Sequence, residues 1–186
     1  DAAPPELDAL SGVLAGRLRW LQASKGRASQ QNAGAAAARG NWLCFLHADS
    51  RLEAAAVRAL AAVAQRAAAL YHFDLGFFDG PALLRLNALG ANLRSRLFGL
   101  PFGDQGLCLP RADFQRLGGF DERLPRAEDH ALVWAAHRAR LPVRRLGARL
   151  RTSGRRYAEA GWLRTTLRFL ALSWTQARAF SKGSRP

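Results

Sequence analysis

The sequence contains no methionine and only two lysines, Lys25 and Lys182, although lysine and arginine together number 28 against 14 acidic residues. The missing methionine, at position 1 as elsewhere, implies that the chain does not start at its own initiator and is a processed or truncated segment. Scarce lysine beside abundant alanine is the bias of a GC-rich genome. The net charge of +14 is therefore weaker testimony to a polyanion partner than its size suggests. The arginines are scattered rather than massed in one block, and no aromatic-basic repeat of a single-strand binder occurs, which argues against a nucleic-acid partner. Cysteine is limited to Cys44 and Cys108. Both fall in apolar runs without the paired spacing of a zinc site, so they read as buried thiols in a reducing compartment, and a cytoplasmic location follows. No run approaches the roughly 20 apolar residues needed to span a bilayer, and the first residues are not a signal peptide. A Walker loop, a dinucleotide fingerprint and a Ser-His-Asp or Cys-His arrangement are absent too. His72, His130 and His137 show no metal spacing with one another.

What is present is enough for a buried core. With 186 residues, 49% of them hydrophobic, the chain reads as one globular domain over 1–186. A short strand is expected over 17–23, then a helix over 29–39. The apolar run Trp42-Leu43-Cys44-Phe45-Leu46 reads as a central strand buried on both faces, because sheets covered on both sides lose polar alternation. Apolar positions Val57, Leu60, Ala61, Ala64 and Ala68 recur at helical spacing. A strand over 71–78 follows. Pro81, suited to a first helical turn, opens a helix through Leu97. A short strand at 107–109 precedes a helical turn over 111–117 that ends at Gly118-Gly119. A helix over 127–140, two short strands at 143–146 and 149–151, and a final amphipathic helix over 159–180 complete the reading. Strands alternating with helices predict an α/β architecture with a largely parallel central sheet and helices on both faces.

Several residues on this scaffold have chemical potential. Asp49, in His47-Ala48-Asp49, stands at the carboxyl end of its strand, the edge where ligands of open α/β sheets bind; Asp49-Ser50 as a helix cap is the plainer alternative. Glu128-Asp129 opens the helix that ends near Arg138 and Arg140. It either complements the helix dipole or projects an ionised carboxylate into the same cleft. Lys25-Gly26-Arg27, with Gln31-Asn32, offers a cation and amides near a helix amino terminus, which suits phosphate or is a solvated basic turn. Gly103-Asp104-Gln105-Gly106 has turn composition. Arg155 and Arg156, in Thr152-Ser153-Gly154-Arg155-Arg156-Tyr157, lie in a charged loop that can bind an anion bidentately. The final helix sets Leu163, Leu167, Leu170 and Trp174 opposite Arg164, Arg168 and Arg178, a pattern of core packing or of a helix lying on an anionic membrane.

Taken in order, the stretches Gly26-Arg27-Ala28-Ser29-Gln30-Gln31-Asn32-Ala33-Gly34, Phe45-Leu46-His47-Ala48-Asp49-Ser50-Arg51-Leu52, Gly103-Asp104-Gln105, Gly118-Gly119-Phe120, Glu128-Asp129 and Thr152-Ser153-Gly154-Arg155-Arg156 resemble the family 2 glycosyltransferases. The likeness is greatest to a bacterial subgroup found beside radical-SAM or selenium-related genes. The resemblance implies a Rossmann-like GT-A fold and metal-dependent, inverting transfer of a sugar from a nucleotide-diphosphate sugar to an acceptor hydroxyl of a lipid or small molecule. Asp49 would then hold Mg²⁺ or Mn²⁺ on the donor diphosphate, with His47 beside it where many members carry an acid. Asp129 would be the general base, supported by Glu128. Gly26, Arg27 and Asn32 would lie near the nucleotide, and Gly103, Asp104, Gln105, Arg155 and Arg156 near the sugar and acceptor. The family's opening strand with its Pro-x-x-Asn-Glu-like segment, and the Asp-Gly-Ser-rich turn after it, are not in the sequence, so the first β-α unit is expected to be missing. The alternative from another class is a non-catalytic, degenerate module that docks on an anionic membrane or another polyanion, with peripheral contact at the inner face of the membrane.

Overall fold

The computed structural model describes residues 18–181. Five strands form one sheet: β1 (Trp42–Phe45), β2 (Ser50–Leu52), β3 (Leu70–Phe77), β4 (Leu107–Pro110) and β5 (Val143–Thr152), in the spatial order β1-β4-β3-β5-β2. Seven α-helices are described: α1 (Arg27–Ala37), α2 (Ala54–Ala61), α3 (Leu84–Phe98), α4 (Arg111–Arg116), α5 (Glu128–Arg138), α6 (Arg155–Ala160) and α7 (Trp162–Ser181).

The α/β class is as read from the sequence, but the sheet is mixed rather than largely parallel. Only β3 and β5 pair in parallel, while β1–β4, β3–β4 and β2–β5 are antiparallel. Strand β1 corrects a second expectation. Among the described residues it lies at an edge with β4 as its neighbour, and its side chains alternate, Leu43 buried and Cys44 exposed. Apolar composition alone does not separate a strand covered on both faces from one covered on a single face. Cys44 is thus not buried as expected. It stands directly opposite the buried Cys108 across the β1–β4 ladder, and the hydrogen bond between the two thiols pushes the Cys44 thiol above its ordinary value.

Alternation along the strands divides the core into two layers. On one side Leu43, Leu70, Leu107 and Leu109 meet Ala28 and Ala35 of α1, Phe114 of α4 and Leu132, Val133 and Ala136 of α5. On the other, Tyr71, Phe73, Cys108, Leu146 and Leu150 meet Ala56 of α2. Burying a side chain such as Phe73 or Leu109, both fully inaccessible, contributes about 1.5–3 kcal/mol. Phe45, Phe114 and Phe120 form an aromatic trio with centroids 4.8 to 5.4 Å apart. It anchors the Gly118-Gly119-Phe120 loop beneath the end of β1.

Residues 18–23 form neither strand nor helix, and Arg17 lies outside the described residues. The expected strands at 143–146 and 149–151 are one strand, β5, whose ladder with β3 is interrupted by a bulge opposite His72 and Asp74. The bulge breaks the local alternation and so reads as a gap in the sequence. The expected helix over 159–180 is two helices, α6 and α7, separated by Gly161 at φ +83°. That left-handed conformation is open to glycine and stops helical propagation. The short strand β2 and its turn were not foreseen, because three residues are too few to show a period.

Strand directions determine where the loops gather. β1, β3 and β5 run the same way and β4 and β2 the opposite way. The carboxyl ends of β1, β3 and β5 therefore share one edge with the amino end of β4, and this edge receives residues 46–49, 78–80, 153–156 and 103–106.

Candidate active site

The loop before β4 is the centre of that edge. A 3-10 turn, Gly103–Gln105, is secured by Gln105, which is fully buried and donates to Phe73 O (3.1 Å) and Ser95 Oγ (3.0 Å) while accepting from Arg94 Nη2 (3.3 Å). Gln105 holds the loop to the core. Gly103 is enclosed: a β-carbon there would lie 2.9 Å from both Asp129 Oδ2 and His47 Nε2. The carboxylate that opens α5 and the imidazole that follows β1 thus flank one glycine, although 82 residues part them in sequence.

Asp129 accepts the Gly103 N–H on Oδ2 and the His130 N–H on Oδ1 (2.9 Å). Burial alone would raise its pKa. The charge of His130, the two backbone amides and Arg27 outweigh it and hold the carboxyl below the usual carboxylate range. Both oxygens retain a second lone pair. Asp104 goes the other way. Burial pushes its carboxyl up against the opposing pull of Arg94 and His47, with Asp129 adding to the rise, and its Oδ1 is buried without a hydrogen-bond partner. An orphaned buried polar atom is rare, and among the described residues Ser50 Oγ is the other one. Two neighbouring acids whose environments separate their pKa values form a recurrent acid-base arrangement.

Two arginines bear on this pair. Arg27, at the start of α1, donates to Glu128 Oε1 at 2.6 Å, and Glu128 is 2% exposed. Burial opposes its charge, but the Glu128 hydrogen bond together with Glu128, Asp129 and Asp104 raises the Arg27 pKa. Arg94, on α3, stacks over the Phe102 ring at 3.2 Å from the centroid and donates to Leu100 O at 2.9 Å. Burial lowers its pKa to about 10 against the pull of Asp104 and Asp129. The Tyr157 hydroxyl is raised mainly by burial and then by the Asp104 charge, against the opposing charge of Arg156. The Tyr157 ring packs on Phe77 and Phe169, both at 5.9 Å.

Asp49 occupies the neighbouring turn. Ser50 N–H donates to His47 O at 3.0 Å, Asp49 O accepts from Ser153 N–H at 3.1 Å, and Asp49 Oδ1 accepts from Thr152 Oγ1 at 3.3 Å. The side chain is exposed and Oδ2 has no partner among the described residues. Asp79, at the end of β3, accepts from Ser153 Oγ at 3.0 Å and from the Gly154 amide, tying the two loop ends together.

Of the sequence-derived candidates, His47, Asp104, Asp129, Arg27 and Glu128 come together around Gly103, and Asp49 joins through its turn. Others sit apart from that centre. Asn32 clamps a loop, donating to Phe120 O (2.9 Å) and Glu122 Oε1 (2.8 Å) and accepting from Phe120 N (3.0 Å). Gly26 precedes α1 at φ +144°. Arg155 is exposed and lies 3.9 Å from Glu159. Arg94, Tyr157 and Asp79 were not singled out as site residues. Asp79 had a signal, since it ends a strand as Asp49 does. Arg94 had none, because an arginine among leucines and asparagines reads as a solvated helix position.

Ala127, the residue before α5, has φ +69°, a strained conformation for a side chain with a β-carbon. It turns the chain so that Glu128 and Asp129 enter the site from the helix start. Next to them His130 stacks on Phe102 at 3.7 Å, and burial lowers its pKa from 6.5 to about 4, partly offset by Asp129. The folded state therefore binds fewer protons at this ring than the unfolded chain, and stability falls as pH drops from about 6.5 to about 4, by on the order of 3 kcal/mol. Urea titrations across that range should show the loss, and His130→Gln should flatten it; an equally steep loss in the variant would assign it to other groups.

Among the described residues, no group of three or more His, Cys, Asp or Glu is disposed to hold a metal ion, and no helix is long and apolar enough to cross a membrane. No protein-family model, curated protein or solved structure matches this chain.

Proposed function

We propose that the chain transfers a sugar from a nucleotide-diphosphate sugar to an acceptor hydroxyl, with a divalent ion on the diphosphate and inversion at the anomeric carbon. The observation that carries this reading is the pairing of His47 and Asp129 across Gly103, beside a buried Asp104 oxygen without a partner. Acidic side chains gathered at the carboxyl edge of three codirectional strands suit such a donor. The GT-A architecture suggested by the sequence resemblance belongs to the same proposal.

Asp129 takes the proton of the attacking hydroxyl. Its lowered pKa keeps it ionised at neutral pH, and the two backbone amides fix its orientation, so that it acts as a positioned base rather than a strong one. Asp104 presents its orphaned Oδ1 as an acceptor for a sugar hydroxyl. Arg27 and Arg94 balance the negative charge that two acids and a diphosphate bring to a partly buried site. Glu128 does not touch the reaction; it positions Arg27.

A divalent ion bridging a diphosphate uses one or two protein carboxylates and fills its shell with phosphate and water oxygens. Asp49 fits that demand, being exposed with one free oxygen, whereas the ring of His47 faces Gly103 and Asp129. The ion, when bound, would neutralise charge on the leaving diphosphate. Calorimetry with UDP, GDP, CDP and dTDP tests the donor half. One of them should bind in the presence of Mn²⁺ and not in its absence, and Asp49→Asn should remove the metal dependence. If none binds in a metal-dependent way, the reading fails.

A further inference from the structure

Two helices carry apolar stripes that face solvent. On α3, Leu86, Leu89, Leu93 and Leu97 recur at helical spacing, from 44% exposed at Leu93 to 71% at Leu97. On α7, Leu163, Leu167, Leu170 and Trp174 do the same, from 57% at Leu167 to 63% at Trp174. The helices meet at Asn87, which donates to Thr166 Oγ1 at 3.0 Å and accepts from Trp162 Nε1 at 2.6 Å. This contact ties the two stripe-bearing helices together. Exposed apolar area of this extent, drawn from two elements, marks an interaction surface.

Charge decides what covers it. Neither α3 nor α7 contains an aspartate or glutamate; α3 carries Arg85, with Arg94 turned inward over Phe102 and Arg96 paired with Asp74, and α7 carries Arg164, Arg168 and Arg178. A second copy would oppose arginine to arginine. Nucleic acid would leave eight apolar side chains uncovered. Alongside α3 runs an open groove of about 880 Å³ whose lining includes Leu89 and Leu93 from the stripe, Phe78, Arg85 and Arg149, together with Arg96, which is paired with Asp74, and Asp79, which is held by Ser153 and Gly154. Cations beside leucines that continue into an apolar stripe match an anionic headgroup beside its acyl chains.

We infer that α3 and α7 together form a docking face for an anionic lipid leaflet, with the groove receiving a lipid phosphate. The helices lie in the plane of the interface, and neither is required to cross it. This surface is independent of the acids around Gly103, so it stands or falls apart from the transferase reading.

Co-sedimentation of the full chain with vesicles tests it. The probes are neutral phosphatidylcholine vesicles and vesicles containing about one third phosphatidylglycerol, at low and at physiological salt. Binding is expected to the anionic vesicles only, weakening with salt. Arg164→Gln and Arg168→Gln should each reduce the partition coefficient by about fivefold. The combined variant Leu89→Gln, Leu93→Gln, Leu167→Gln and Leu170→Gln should reduce it at least tenfold, with a cooperative melt and parent-like circular dichroism checking that it folds, since each of these side chains is about half exposed. Asp129→Asn should bind vesicles as the parent does. Failure to bind anionic vesicles, or unchanged binding by the fourfold leucine variant, overturns the inference. Concentration-dependent dimerisation that the same leucine substitutions abolish also overturns it, assigning the face to a second copy.

Discussion

Asp129→Asn is expected to lower sugar transfer by about 10²- to 10⁴-fold, the usual contribution of a positioned general base, while leaving metal-dependent nucleoside diphosphate binding within twofold. The asparagine keeps the size of the side chain and one acceptor oxygen, but it presents an amide to a site that holds a carboxylate between the Gly103 and His130 amides. Proton acceptance is lost and the diphosphate half of the site is untouched. Release of nucleoside diphosphate from a panel of nucleotide sugars gives the rate, and calorimetry gives the affinity. Gly103→Ala should act on the same chemistry without altering a charge, because its β-carbon would come within 2.9 Å of Asp129 Oδ2 and His47 Nε2 and one of the two must move. Parent-like turnover in both variants would remove Asp129 from the mechanism.

Arg27→Ala is expected to have the largest effect on stability among the site residues. Glu128 is 2% exposed and its carboxylate takes a 2.6 Å bond from Arg27, whose side chain is 53% exposed. Breaking a fully buried pair costs about 3–5 kcal/mol because one charge is left unsolvated, and the access of water on the Arg27 side reduces this to about 2–3 kcal/mol. The melting temperature should fall by roughly 5–10 °C. Adding Glu128→Gln should recover most of the loss, since the neutral amide needs no counter-charge, and the double-mutant cycle should return a coupling above about 1 kcal/mol. A change within about 0.5 kcal/mol for Arg27→Ala alone would show that water already compensates Glu128. The pair also bears on the site, because Arg27 is one of the charges that hold Asp129 in its ionised form.

The parts of this molecule that were legible in the sequence are those with a strong local signal. The five-residue apolar run made β1 recognisable, and Asp49 at its end followed from strand direction. The acids at the start of α5 were equally plain, and Pro81 signalled the helix that forms α3 a turn later. Topology was not, because antiparallel pairing of β4 with both β1 and β3 depends on which edges meet in space. The break between α6 and α7 turned on one glycine. At the site, the sequence supplied Asp129, Asp104 and His47 as separate candidates, but only the fold shows that His47 and Asp129 both border Gly103. Arg94 and Tyr157 carry no local signature. They matter because a buried cation acts on Asp104 and Asp129, and a phenol feels the Asp104 charge, from elements distant in the chain.

The most direct measurement is a crystal structure of the protein soaked with Mn²⁺ and the nucleoside diphosphate that calorimetry selects, with manganese located by anomalous scattering. A manganese peak on the Asp49 carboxylate, with the diphosphate lying between it and Gly103 and with Asp129 across the remaining space, is the expected result. A nucleotide bound away from this edge, or manganese seated with no contact to Asp49, would contradict the assignment of this edge as a sugar-nucleotide site.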